Sequence, residues 1–449
     1  IQSVNIVGLG ADKLTVSGEN ASRIFNFGGN TYSVSGLDIA NGNASGATVN
    51  DNFGGAITFN GQTLTIADSV IRDSSAGSTG GAMDVIDGTL NLINSAVINN
   101  TAVGQAGGIY FQNSINSHII NSTLSGNSVP GGGPKLGGGI FNLATQTSLL
   151  TLTNVTMVDN TATLGASILT GTASGAVSAT TRYQNSVFTT TSEFDIETLE
   201  SGGPAANVSL GHNISSNGER NLIAAWDLPN TDPLLGPLRD NGGPPPTHAF
   251  LVGRPAIDAG NSTFVTDQRG LVRPVDLAGI PNASGGDGSD IGALEQQIAT
   301  VVGRHVFYNN SSYDAANDDA AIATDKTALL LGQTATFVNY TSFSKGINGV
   351  IIDIAELPAT TLTPDDFEFA VGNDNLPDNW TPVAATPTIT VRQGKGSNGS
   401  DRVTIVFPDN AIQKQWLEIT VKANANTGLA QSDVHYWGNA IGETGNDPN

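Results

Sequence analysis

The residues of this chain with the most chemical potential carry oxygen. The run Asp314-Ala-Ala-Asn-Asp-Asp319 gathers Asp314, Asn317, Asp318 and Asp319 in one short polar segment. Carboxylate and amide oxygens are the hard donors that Ca²⁺ prefers, so these four form a candidate calcium site and Ca²⁺ is the candidate cofactor. The EF-hand spacing and its glycine are missing. The segment Gly285-Gly-Asp-Gly-Ser-Asp290 has the look of one unit of a calcium-binding Gly/Asp repeat, but it occurs once. For both segments a solvated turn is the simpler reading.

Sugar chemistry needs other groupings. An inverting glycosidase uses carboxylates facing one cleft, for which Asp68 with Asp73, or Asp84 with Asp87, can be nominated. A polysaccharide lyase needs a basic group to take a proton beside a uronate. Between residues 30 and 200 the only Lys and Arg are Arg72, Lys135 and Arg182. His118 and His248 stand far apart, each without an obvious partner. The chain has no cysteine, which excludes a thiolate nucleophile, a thiolate zinc site and a disulfide framework. No Ser-His-Asp order, phosphate-binding glycine loop or metalloprotease motif appears, so no residue is assigned a catalytic role.

The elements that must position these residues are set by repetition. Gly-Gly steps stand at Gly54-Gly55, Gly80-Gly81, Gly107-Gly108 and Gly138-Gly139, separated by 26, 27 and 31 residues. After each comes a short β run, a Thr/Leu-rich run and an Asn/Ser-rich run, as in Gly80-Gly-Ala-Met-Asp-Val85, Thr89-Leu-Asn-Leu92 and Asn94-Ser-Ala-Val-Ile98. A weaker unit follows at Gly165-Ala-Ser-Ile-Leu169, and an earlier one passes through Tyr32-Ser-Val34. A period of this size marks a solenoid. Three short strands per unit, alternating apolar inward and polar outward, predict a right-handed parallel β-helix in which Ile57, Met83, Ile109 and Ile140 line one interior. Asp68, Asn94, Asn121, Asn154 and Asn185 fall at equivalent places, as do Ser74, Asn100, Asn127 and Asn160. Short amides at the corners of a coil can satisfy backbone groups that lack ladder partners, so both rows read as structural. The run Val129-Pro-Gly-Gly-Gly-Pro-Lys-Leu136 is an inserted loop.

After Thr190 the period fades. Arg239-Asp-Asn-Gly-Gly-Pro244, Pro255-Ala-Ile-Asp-Ala-Gly260, Thr266-Asp-Gln-Arg-Gly270 and Asp290-Ile-Gly-Ala-Leu-Glu295 follow. This series resembles the choice-of-anchor Q domain of bacterial surface proteins, and the coils before it resemble the polymorphic-outer-membrane-type β-helices that precede that domain. The resemblance covers about residues 1–296. Residues 304–445, with Arg304-His-Val-Phe-Tyr-Asn-Asn310 and Gly346-Ile-Asn-Gly-Val-Ile-Ile-Asp353, resemble a module appended to such β-helices in secreted planctomycete-like proteins. The resemblance implies export and surface attachment and carries no enzymatic activity. From the residues themselves, the hinge motifs read as a cap over the last coil, with Arg239, Asp258, Asp267, Arg269 and Arg273 as a structural ion-pair and hydrogen-bond network.

From residue 304 onward seven strand-like runs recur: 305–308, 334–338, 349–354, 367–370, 388–391, 402–407 and 415–421. With turns between them and no helical period, they predict an antiparallel β-sandwich. Trp380, Trp416 and Trp437 are core anchors or a carbohydrate platform. The expected fold is therefore all-β, with coils over 1–200, a cap over 201–300 and a sandwich over 301–449.

Only 13% of the residues are charged, yet the formal net charge is −22. Such a surface repels nucleic acid and anionic lipid, and no apolar run reaches the ~20 residues of a transmembrane helix. The absence of cysteine fits an exported bacterial protein, and a first residue lying inside a strand-like run fits a chain whose leader has been removed. The expectation is an extracellular or cell-surface structural or adhesive protein, non-catalytic, partnered by copies of itself in a filament or matrix, or by polysaccharide. The alternatives are a polysaccharide lyase or glycoside hydrolase, and a glycan-binding β-helix.

Overall fold

A computed structural model describes residues 3–442, apart from 47–51, 131–133, 191–194, 218–220, 252–254, 278–279 and 315–317. The chain divides into two units, Ile1–Gln296 and Gln297–Asn449. In the first, the repeats form a parallel β-solenoid of about 7 turns. One row stacks seven strands, from Phe25–Gly28 through Ile57–Asn60, Met83–Ile86, Ile109–Gln112, Ile140–Ala144 and Ile168–Thr172 to Ile196–Glu200. Two longer rows follow in each coil, running together as one long strand in Ser117–Ser125 and Thr147–Val158. In three coils a short fourth row, Asn43–Ala44, Ser75–Ala76 and Thr101–Ala102, stacks beside them where three strands per unit were expected.

Register places the interior as the apolar alternation requires. Ile57 pairs with Met83, Met83 with Ile109, Ile109 with Ile140 and Ile140 with Ile168, and all five are fully buried. Ile71, Val97, Leu124, Met157 and Phe188 form a second such column. A third column begins with Phe27, Phe59, Val85 and Phe111 but turns polar at Asn142 and Thr170. These two are fully buried, and each bonds the Thr181 hydroxyl, at 2.9 and 2.7 Å.

The glycine pair does two separate jobs. Gly54 and Gly80 have φ of 56° and 64°, the left-handed region that glycine enters without penalty. A Cβ on Gly55 or Gly81 would stand 2.1 or 2.2 Å from a carbonyl oxygen of the next coil, so the second glycine sets how closely coils approach. In the third coil Ala106 holds the left-handed place, with φ 54°, and the pair Gly107-Gly108 is displaced by one residue.

Both amide rows are hydrogen-bonded ladders. Asp68, Asn94, Asn121, Asn154 and Asn185 all have positive φ, and each amide donates to its neighbour one coil back, from Asn94 to Asp68 at 3.2 Å through Asn185 to Asn154 at 2.8 Å. The inner row is tighter. Asn127 Nδ2 donates to Asn160 Oδ1 and to the Val97 carbonyl, both at 2.9 Å, and Asn127 Oδ1 accepts from the Asn100 N–H and Nδ2 at 3.1 and 3.0 Å.

Where the glycine period ends, the coils do not. Ile196–Glu200, Ala205–Ser209 and Ile214–Ser215 add a further turn, and Leu222 packs onto the main core. The Gly/Pro-rich residues beyond turn back along the side of the solenoid. Asn121 donates to Thr266 O, Asn154 to Ser262 Oγ and Asn185 to Asp290 O, at 2.8–2.9 Å, and Thr123 Oγ1 donates to Gln268 Oε1 at 2.7 Å. The outer amide ladder thus docks this segment across three coils, so it straps the side rather than only covering the end. Within it, Arg269 pairs with Asp267 at 2.9 Å and Arg273 with Glu295 at 2.8 Å. Arg273 Nη2 also donates to the Gly292 and Leu294 carbonyls, so the buried guanidinium is held on several sides, as a buried charge requires.

The second unit consists of two mainly antiparallel sheets. The order is Thr300–Val306, Gly349–Ala355, Asp401–Val406, Thr388–Arg392 in one, and Leu329–Leu330, Asp433–Asn439, Trp416–Val421, Phe367–Gly372, Thr381–Pro382 in the other. Val350, Ile352, Val403 and Ile405 share one core with Leu417, Ile419, Val421 and Trp437. The expected strand at 334–338 is instead loop and one 3-10 turn, Phe337–Asn339, because Asn339 Oδ1 captures the Thr336 N–H at 2.7 Å. Asp433–Asn439 was not among the seven expected runs, although it is the strand beside Trp416–Val421. Its buried His435 breaks the apolar pattern, and Asp433 meets the Nδ1 of that imidazole at 2.9 Å.

Removing one rung of the inner ladder tests how much it holds. Asn127→Ala deletes four hydrogen bonds and leaves the buried Asn100 N–H without its acceptor, at about 1–3 kcal/mol for a buried unpaired group. Urea titration of the full chain is expected to show a loss of roughly 3 kcal/mol, against about 1 kcal/mol for Asn94→Ala on the half-buried outer ladder.

Candidate functional site

Among the described residues the strap borders a cleft against the solenoid, of 730 Å³. A hairpin, Leu235–Arg239 with Thr247–Phe250, forms one wall, and the ends of the strands Ser117–Ser125 and Thr147–Val158 form the other. His248 is buried between them. Its Nδ1 lies 2.8 Å from the Gly236 carbonyl, which can only accept, so Nδ1 carries the proton. Nε2 is then the acceptor for the Ser125 hydroxyl at 3.1 Å. Burial lowers the His248 pKa, opposed by the Gly236 hydrogen bond and by the charge of Asp159, so the ring is neutral near pH 7. A neutral imidazole on a serine hydroxyl is the pairing used in nucleophilic catalysis. Here, however, the Gly126 amide, next to that serine, already donates to Val158 O at 3.0 Å and is not turned towards a developing oxyanion.

The nominated carboxylates do not meet in a cleft. Asp68 is the first rung of the outer ladder. Asp87, with φ 52°, accepts from Asn113 at 3.0 Å in another corner row. Asp73 sits at a corner and is bridged by Arg72 at 2.6 Å, while Arg72 also holds Asp38 at 2.8 Å. Lys135 is half-buried and Arg182 exposed, and His118 is in a strand between Asn91 and Thr151. Asp84 alone is unusual. It lies buried on its strand between Thr58 and Tyr110. Oδ2 accepts from the Thr79 hydroxyl, and Oδ1 has no hydrogen-bond partner among the described residues.

In the second unit the candidate calcium ligands are largely engaged elsewhere. Asp319 is paired with Arg392 at 2.5 Å and Arg402 at 3.0 Å, and Asp314 accepts the Asn310 N–H at 2.7 Å. Asp318 opens a 3-10 turn, and its pKa is raised by burial and by the charge of Asp314. Asn317 lies outside the described residues. Among those described, no group of three or more His, Asp or Glu side chains is arranged to hold a metal ion. In the Gly285–Asp290 segment, Asp287 accepts from Ser289 and the Ser262 N–H. Asp290 is buried and accepts from the Asp258 and Gln296 amides. Asp290 is thus committed inward, whereas Asp287 stays exposed as in a solvated turn.

The tryptophans separate into both readings. Trp437 is fully buried in the core. Trp380 and Trp416 are half-buried and, with Tyr436, line a groove of 570 Å³. Trp380 stands edge-to-face against Tyr436 at 5.8 Å, and its Nε1 donates to Asp374 Oδ1 at 2.9 Å. Burial and a hydrogen bond with Glu418 push the Tyr436 phenol up to about 12. Sequence reasoning named both indoles but had no signal that joined them to Tyr436, since the strand that carries this tyrosine was missed.

No family model matches the chain, and comparison with curated proteins and with solved structures gives no match. The choice-of-anchor Q resemblance rests on its motifs alone. No helix of the described residues is long and apolar enough to cross a membrane.

Asp84 gives a pH signature. Burial, eased by Thr79 and Arg23, raises its pKa to about 7, against roughly 4 for an unfolded chain. Below about pH 4 both states hold the proton. Between about 4 and 7 the unfolded state ionises first, so stability falls as pH rises through that window and then levels off. In thermal melts Asp84→Asn is expected to exceed the parent by several degrees at about pH 8 and to match it near pH 3.5.

Proposed function

We propose that this chain is a non-catalytic structural or adhesive protein of a bacterial surface or extracellular matrix, in which the solenoid is the scaffold. One observation carries this reading: the polar rows that a side-face active site would draw on are used up within the fold. The outer ladder holds the strap, the inner ladder closes the corners, and the side cleft offers an imidazole bonded at both nitrogens, with no Lys or Arg among its lining residues. The acidic, cysteine-free composition and the motif resemblance support location outside the cell. Polysaccharide and further copies of the chain are the partners proposed for such a scaffold.

The Ser125–His248 pair favours a second reading, a serine hydrolase acting at the side cleft. The Ser125–His248 bond takes its place beside four other bonds from successive coils to the strap, at Thr266, Ser262, Asp290 and Gln268, and that setting supports docking as its role. A fluorophosphonate probe separates the two. No labelling of Ser125, together with no new reducing or unsaturated ends from neutral and acidic polysaccharides, is expected. Labelling lost in Ser125→Ala would establish the hydrolase instead.

A further inference from the structure

We infer that the outer face of the second unit's Trp-bearing sheet is a binding site for a neutral hexopyranose polysaccharide, read by Trp380 and Trp416. The inference rests on the adhesive reading and names its ligand class. Gly372, Trp416 and Gly438 are directly paired across three adjacent strands. A Cβ built on Gly372 would stand 2.2–2.4 Å from Cδ1, Cγ and Nε1 of Trp380. Three contiguous ring atoms at nearly one distance mean that the backbone meets the face of the ring, not its edge. Gly438 meets the two fusion atoms of Trp416, Cε2 and Cδ2, at 3.1 and 3.2 Å, again face-on. Each indole therefore lies flat on a glycine, with its other face turned away from the sheet.

Side chains at those two positions would tip the rings up or push them off. The glycines on either side of Trp416 thus prepare two flat apolar surfaces, about two strand spacings or ~10 Å apart. That distance is of the order of the repeat of two linked pyranose rings in an extended chain. The C–H faces of such rings pack on aromatic faces, while equatorial hydroxyls seek polar partners at the edges. Asp374 supplies an acceptor locked in place by Trp380 Nε1 at 2.9 Å. Charge selects among polysaccharides. None of the residues lining the groove is basic, and Asp374 lies within it, so a polyuronate meets repulsion without a counter-charge.

The test uses the full chain in affinity electrophoresis and calorimetry, with hydroxyethylcellulose and xyloglucan as neutral probes and polygalacturonate as the acidic one. Retardation by at least one neutral glucan and none by polygalacturonate is expected. Trp380→Ala and Trp416→Ala should each weaken binding about tenfold or more, which is about 1.4 kcal/mol, with melts confirming the fold. Trp380→Phe and Trp416→Phe, which keep a flat ring, should retain most of the affinity. Unchanged affinity in both alanine variants, tighter binding of polygalacturonate, or no retardation by either glucan would overturn the site and leave the scaffold reading standing. Release of reducing ends from the bound glucan would instead overturn the non-catalytic reading and leave the groove intact.

Discussion

A chain that turns several corners in each coil must pair the backbone groups it takes out of the ladder. The first unit depends on how it meets that demand. Ser74, Asn100, Asn127 and Asn160 are buried at one corner, each answering backbone groups of the coil beside it. Once those groups are paired, the aliphatic columns can stack and the coils can approach until a glycine carbonyl oxygen fills the place of a Cβ on the neighbouring coil. Apolar packing supplies much of the stabilisation, but the amides decide where the chain bends and which coil neighbours which.

This constraint explains why so much of the solenoid was legible. Columns such as Ile57, Met83, Ile109 and Ile140 and both amide rows follow from a period that the sequence repeats openly. The glycine pairs misled by one residue in the third and fourth coils, because the left-handed place belongs to Ala106 and Gly137 and the pair is read from a dipeptide rather than from φ. The coil through Ile196 and Ile214 was hidden because it lacks the glycine signature. The side docking of the strap was hidden for another reason: Asn121, Asn154 and Asn185 meet partners more than 100 residues away, and local patterning does not record such pairings.

The candidate site was less legible still. Its two indoles come from a loop and a strand, their seats are glycines on two other strands, and the tyrosine between them lies on Asp433–Asn439, where a buried His435 disguises the alternation. Composition could say only that tryptophan was available. Which tryptophan goes inward, as Trp437 does, and which outward, as Trp416 does, depends on a register offset of one residue between paired strands. The acidic cluster shows the converse. Its carboxylates looked free in sequence because Arg392 and Arg402, which hold Asp319, come from distant strands.

The strap has a mechanical consequence. A solenoid pulled from one end unwinds by peeling, since each coil is held only by the coil beneath it and a tear needs to break just one set of bonds at a time. By gripping Asn121, Asn154 and Asn185 on three successive coils, the folded-back segment ties those turns together across the direction of tearing. Tension arriving from the C-terminal side meets these turns as a single block, which must yield together or hold.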